Sequence, residues 1–129
     1  MDAQVRLALS RSNLRELPGD VLDELMAGAS TVAVPAGSVT HWEGEPNRFL
    51  ELVVSGVVRV FVTAPDGRTM TIRYCRPGAL IGAASLFAKG YAMPAPTQAL
   101  VDAELLRMSP TAARRAARGP WSPARARTS

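Results

Sequence analysis

Residues Gly82 to Thr97, GAASLFAKGYAMPAPT, carry the pattern with the plainest chemical meaning in this chain. A glycine closes a strand, small residues follow, and a polar, proline-containing return leads into another apolar run. Small residues at such a turn leave backbone N–H groups open to an anion, as at a helix start or in a nest of amides. The side-chain charge that would reinforce the seat is nearly missing, since Lys89 is the only charged residue between Gly82 and Thr97. Other reactive residues are scarce. His41 and Cys75 are the only histidine and the only cysteine. One histidine cannot supply the histidine-plus-carboxylate set of a metal-dependent enzyme on a cupin-like scaffold. Ser85 has no general base near it in sequence, and only His41 could reach it through folding. A turn or helix-cap role for Ser85 is the simpler reading. Catalysis is not expected.

A loop of this kind needs strands to hold its two ends. Ahead of them, LRELPGDVLDELMAGAS predicts a short amphipathic helix. Leu17, Val21, Leu22, Leu25 and Met26 recur at helical spacing, Asp20 can cap the start, and Gly28 can end it. Val5, Leu7, Leu9 and Leu14 predict another short helical piece before it. From Thr31 onward the period becomes two. TVAV, SVTHW, FLELVVS, VVRVFVT and TMTIRYC are short, rich in β-branched residues, and separated by turn residues. Pro65-Asp66-Gly67 predicts a hairpin between two alternating strands, because Gly67 can take positive φ. TQALV and ELLRMS supply two more strands. Ser109-Pro110 then starts a helix and Gly119-Pro120 stops it. The pattern is mainly β with flanking helices, an antiparallel barrel or jelly roll.

At 129 residues, 47% hydrophobic and 20% charged, the chain reads as one domain with a real core. No apolar run approaches the roughly 18 residues of a membrane span, and MDAQVRLALSRS lacks the apolar region of a secretory signal. A single cysteine excludes an intramolecular disulfide and a multi-cysteine cluster within one chain. The expectation is a cytoplasmic protein without membrane contact. The net charge of +4 is unevenly placed: residues 1–109 hold 10 Lys/Arg against 11 Asp/Glu, and residues 110–129 add five arginines and no acid. The expected organisation is one domain over residues 1–118 and an Arg/Pro/Ser-rich, disordered tail over 119–129. Such a tail binds nucleic acid at most weakly and without sequence preference, through counterion release.

The glycines narrow the class further. Gly37, Gly44, Gly56, Gly67, Gly78 and Gly82 each fall at a turn in PAGSVTHWEGEPNRFLELVVSGVVRVFVTAPDGRTMTIRYCRPGALIGAASLF. This frame, from about Leu14 to about Ala117, closely resembles the sensor domain of CRP/FNR-type bacterial transcription regulators, the cyclic-nucleotide-binding fold. The resemblance implies an antiparallel β-roll (a double-stranded β-helix) with a short helix between two strands, where the family binds its effector. It implies effector contacts from Gly82, Ala83, Ala84, Ser85, Met93, Pro94, Ala95 and Thr97. In relatives that bind cyclic AMP, a glutamate holding the ribose matches Ala83, and an arginine–serine pair gripping the phosphate matches Met93 and Pro94. Each lost charge-assisted contact costs roughly 2–5 kcal/mol. Cyclic AMP is therefore not expected to bind.

Other branches of the family sense through metal groups. An iron–sulfur cluster needs several cysteines, and Cys75 stands alone. A haem would need axial ligands, for which His41 and Cys75 are the candidates. The plainer reading puts His41 on a strand and makes Cys75 a small buried apolar residue ending one. No cofactor is expected, and a thiol switch at Cys75 meets the same plain alternative. The family also continues into a long dimerisation helix and a helix-turn-helix, whereas GPWSPARARTS follows Arg118 here. The expectation is a sensing domain for an unknown small-molecule effector or for none, without sequence-specific DNA binding and monomeric or weakly dimeric. The competing reading is a free-standing interaction or dimerisation module on the same fold. Strand edges, or Leu86, Phe87 and Tyr91, are then the expected contacts between copies.

Overall fold

The computed structural model describes residues 2–42, 50–82 and 95–108. The chain opens with α1 (Ala3–Ser10), a 3-10 turn (Asn13–Glu16) and α2 (Gly19–Ala27). Strands follow: β1 (Ser30–Val34), β2 (Val39–His41), β3 (Leu50–Ser55), β4 (Val58–Thr63), β5 (Thr69–Cys75), β6 (Leu80–Ile81), β7 (Thr97–Ala99) and β8 (Ala103–Met108). Among the described residues they form two four-stranded sheets, ordered β1-β8-β3-β6 and β2-β7-β4-β5. Every pairing is antiparallel. This is the β-roll that the turn glycines implied.

Alternation along β3 divides the core in two. Leu50, Leu52 and Val54 point out of the first sheet and are buried under Val5, Leu9, Leu14, Leu17 and Leu25 of the helical segment. Val53 points the other way and, with Leu105, Val34 and Ile81, meets Val58, Cys75 and Ala99 of the second sheet. Period two sends neighbouring residues to opposite faces, so a strand buried on both sides reads as an apolar run. Each fully buried leucine contributes about 1.5–3 kcal/mol relative to exposure.

The chain passes from the first sheet to the second between β3 and β4, and Gly56 makes that corner. Its φ is +82°, and a Cβ there would lie 2.5 Å from the Asp102 carbonyl oxygen and 2.7 Å from Ala103 Cα. Only glycine fits such a backbone approach. Gly37, Gly67, Gly78 and Gly82 also have positive φ, while Gly44 lies outside the described residues. The hairpin between β4 and β5 closes through the Ala64 N–H, which donates to the Arg68 carbonyl at 2.8 Å. That is the hairpin predicted from Pro65-Asp66-Gly67.

Two local expectations need correction. LRELPGDVLDELMAGAS does not form one helix capped by Asp20. Pro18 disfavours helical backbone at the residue before it, and Leu17 is extended at φ −70°, ψ 144°. The segment therefore splits into the 3-10 turn, capped by Ser12, and α2, whose N-cap is Pro18 and whose first turn contains Asp20. Gly28 does sit at the C-cap. Of the residues that predict the first helical piece, Leu7 is helical but 52% exposed, and Ala8 is buried with Val5 and Leu9. The two-residue strand β6 has no periodic signal to reveal it. The helix expected from Pro110 and the tail over 119–129 lie outside the described residues. Among those described, no helix is long and apolar enough to cross a membrane.

Candidate effector-binding site

β6 ends at Ile81 in the first sheet, and β7 begins at Thr97 in the second. The segment leaving at Gly82 and returning through Ala95 therefore crosses from one sheet to the other. Gly82 has φ +88°, which lets the chain leave β6 sharply. Ala95 and Thr97 are buried at the return. Of the expected effector-binding residues, Ala83, Ala84, Ser85, Met93 and Pro94 lie outside the described residues, as do Leu86, Phe87 and Tyr91.

Beside the ends of this segment, a buried polar cluster stands on neighbouring strands. Glu51 on β3 is completely buried, on the inward face beside Val53. Its Oε1 meets His41 Nε2 from β2 of the opposite sheet. Its Oε2 accepts from Arg107 Nε of β8 at 2.8 Å. The strands aim these groups for identifiable reasons. Glu51 lies opposite Arg107 across the β3–β8 ladder and opposite Ile81 across β3–β6, and directly opposed residues share a face. On β2 the register shifts between Val39 and His41. Such a bulge re-aims a side chain, and His41 ends up only 8% exposed. Thr40, the extra residue, brings its hydroxyl against that of Thr97. The outer side of β7 is held by Gln98, which accepts from Arg59 Nε and donates to the Gly37 carbonyl, each at 2.9 Å.

Burial alone would push the Glu51 carboxyl up. The hydrogen bond and charge of His41, then those of Arg107, outweigh it and hold the group below its ordinary value. An ionised carboxylate only accepts, so Nε2 of His41 must carry the proton in this contact. The cluster can fix geometry and charge in a dry site. Among the described residues there is no group of three His/Cys/Asp/Glu set to bind a metal. Cys75 ends β5 fully buried, as expected of a small apolar residue. Burial pushes its thiol pKa up, with partial opposition from the charge of Arg73.

His41 was singled out in the sequence as a possible ligand; its actual partner is Glu51. Glu51 and Arg107 were not singled out. A signal for Glu51 did exist: it is the one charge in FLELVVS, on the opposite face of β3 from the leucines. No signal linked it to partners 10 and 56 residues away.

Two four-stranded antiparallel sheets, with the core of Val53, Val58, Leu105 and Ala99 between them, define a β-roll. The sequence model of the cyclic nucleotide-binding domain family matches residues 31–118, and the chain belongs to that family. Among solved structures it is similar to the sensor domain of the transcriptional regulator DNR from Pseudomonas aeruginosa. That match has 25% identity over 92% of this chain and 81% of the other, with a TM-score of 0.77. The N-terminal domain of a transcriptional regulator from Streptomyces coelicolor A3(2) matches at 28% identity, 98% and 83% coverage, and a TM-score of 0.70. A cyclic nucleotide-binding-like protein from Brucella abortus matches at 28% identity, 88% and 97% coverage, and a TM-score of 0.71. No curated protein matches. The domain is thus a cyclic nucleotide-binding domain similar to the sensor domains of CRP/FNR-type regulators, a family of regulatory domains.

Proposed function

We propose that this domain senses a small-molecule effector other than cyclic AMP, seated against the segment from Gly82 to Thr97. The observation that carries the reading is the placement of that segment's two ends on different sheets, beside the buried His41–Glu51–Arg107 cluster. A ligand held there touches both sheets at once, so binding can change how they sit together. Ala83, Met93 and Pro94 offer neither the carboxylate nor the guanidinium that would pair with a cyclic nucleotide. Gly82, Ala95 and Thr97 supply backbone and a hydroxyl. The reading includes no catalysis, no resident cofactor and no sequence-specific DNA recognition by these residues. Arginines of residues 110–129 would give binding that disappears between roughly 50 and 200 mM salt.

Calorimetry tests the ligand. Cyclic AMP and cyclic GMP are expected to show no saturable binding tighter than about 10 μM, near 6.8 kcal/mol. Saturation below that concentration overturns the exclusion. Ala83→Glu, Met93→Arg and Pro94→Ser combined should raise affinity for cyclic AMP more than any one of them, because each contact presupposes the others.

One observation favours a second reading, self-association through β5. Met70, Ile72 and Tyr74 are 63%, 56% and 55% exposed on this strand, which edges the second sheet among the described residues. An apolar, unpaired edge is a template for a second strand. Three side chains bury little area against the several kcal/mol that association costs. The expected state is a monomer or a dimer with a dissociation constant above about 10 μM. Sedimentation equilibrium on the wild type and on Ile72→Lys checks this, since a nanomolar dimer indifferent to Ile72→Lys excludes the β5 edge.

A further inference from the structure

Two strand registers bring both ends of the effector segment to one buried hydrogen bond. Ile81, the residue before Gly82, lies opposite Glu51. Thr97, where the segment rejoins a strand, lies opposite His41. Glu51 and His41 then meet each other across the gap between the sheets. An apolar cluster of Val53, Ile81, Leu105, Val58, Cys75 and Ala99 also packs between the sheets. Apolar burial is non-directional and does not by itself specify one distance and direction between two groups. A hydrogen bond to an ionised acceptor in a dry site fixes both distance and direction. Arg107 holds the second oxygen of the same carboxylate, so Glu51 cannot turn to follow His41 if the sheets shift.

We propose that His41 and Glu51 are a positioning pair that sets the separation of Gly82 and Thr97, the two ends between which the effector segment runs. Arg107 acts through Glu51 as its anchor. The proposal rests on the effector-sensing reading for its purpose, but the coupling it asserts exists without ligand. A buried ion pair is weak evidence of added stability, and in some proteins such a pair selects one arrangement. His41 Nε2 meets the Glu51 carboxylate from β3, whose other oxygen is held by the Arg107 guanidinium from β8, and Thr97 lies opposite His41 in the β2–β7 ladder with its hydroxyl against that of Thr40. Protonation of the imidazole must therefore be felt at Glu51, and through the registers at both ends of the segment.

Nuclear magnetic resonance on the full chain tests this without any ligand, because His41 is the only histidine and its ring signal is unambiguous. In the wild type, the amides of Gly82 and Thr97 should shift with pH at the same midpoint as the His41 ring. In Glu51→Gln both amides should stop following the ring. His41→Gln keeps an N–H donor for Glu51 but cannot titrate, so the two amides should hold near-wild-type positions and lose their pH dependence. His41→Leu should displace both amides. Val53→Ala, a comparable cavity in the same layer without a polar change, should leave the shared midpoint intact. Amides that ignore the ring in the wild type overturn the proposal, as do amides that still follow it in Glu51→Gln. A Val53→Ala variant that loses the coupling as completely as Glu51→Gln overturns it too, by reducing the pair to ordinary packing. Should Glu51→Gln fail to fold, the contrast between His41→Gln and His41→Leu decides alone, and equal behaviour of the two counts against it. No ligand enters these measurements, so their failure is separate from failure of the calorimetric test.

Discussion

The two sheets of this domain are treated very differently by the rest of the chain. The first has a second layer: α1, the 3-10 turn and α2 cover Leu50, Leu52, Leu106 and Met108, leaving each 5% exposed or less. The second sheet ends in β5, where Met70, Ile72 and Tyr74 stand more than half exposed. One sheet is a foundation, and the other is a face left open at its edge. The cluster at Glu51 and the corner at Gly56 are where the open sheet is fastened to the covered one. Stability should therefore be concentrated at the covered sheet and its fastenings, and tolerance to change at the β5 edge.

The largest effect expected from that contrast is at the corner. Gly56→Ala must place a methyl group on the Asp102 carbonyl and Ala103 at a positive φ, and should cost about 4 kcal/mol or more. Denaturant unfolding, or failure to recover folded protein, reads it. Leu52→Ala follows, at about 3–4 kcal/mol, because Leu52 is fully buried between β3 and the helices. A cost below about 1 kcal/mol would mean that the helical layer is loosely docked.

Glu51→Ala comes next, at about 3 kcal/mol, since it removes the acceptor that the buried His41 ring and the half-buried Arg107 guanidinium share. Its pH signature is more telling than its size. The fold holds this carboxyl below its ordinary value, so the unfolded chain takes up the proton first as pH falls. The stability contributed by Glu51 is complete above the ordinary carboxylate range of about pH 4–5 and is lost as pH falls through that range towards the folded value. Stability of Glu51→Ala should consequently decline less steeply below about pH 5 than that of the wild type. Equal slopes would show that Glu51 is not ionised in the fold.

The smallest effects belong to the open sheet. Gly67→Ala at the hairpin tip meets no atom within 4 Å but keeps φ at +88°, so only backbone strain of about 1–2 kcal/mol is expected. Ile72→Thr should change stability by no more than about 0.5 kcal/mol. A large loss at Ile72 would mean that this face is covered in solution, and would support self-association there.

Much of the architecture was legible in the residue order, because each signal is local. Alternation in VVRVFVT and TMTIRYC, the Pro65-Asp66-Gly67 turn and the spaced glycines each report a backbone preference acting over a few residues. Failures arose where a local signal was cut short or redirected. Pro18 split a segment whose apolar spacing suggested one helix, and β6 is too short to show a period. Of the segment from Gly82 to Thr97, the sequence shows which side chains are present and that Lys89 is its one charge, a matter of composition alone.

The sequence by itself determined a mainly β roll with glycine turns, and a candidate seat poor in charge. Only the tertiary structure decided where charge is supplied. Glu51 looks like one polar residue in an apolar strand, His41 like an isolated histidine, and Arg107 like the solvent-facing member of ELLRM. Three strands from two sheets bring them together, through ladder register and a bulge at Thr40. Pairings between residues 10 and 56 positions apart leave no trace in local order. They form because a carboxylate on the inward face of β3 cannot remain buried without donors, and the fold places a guanidinium and an imidazole where those donors must be.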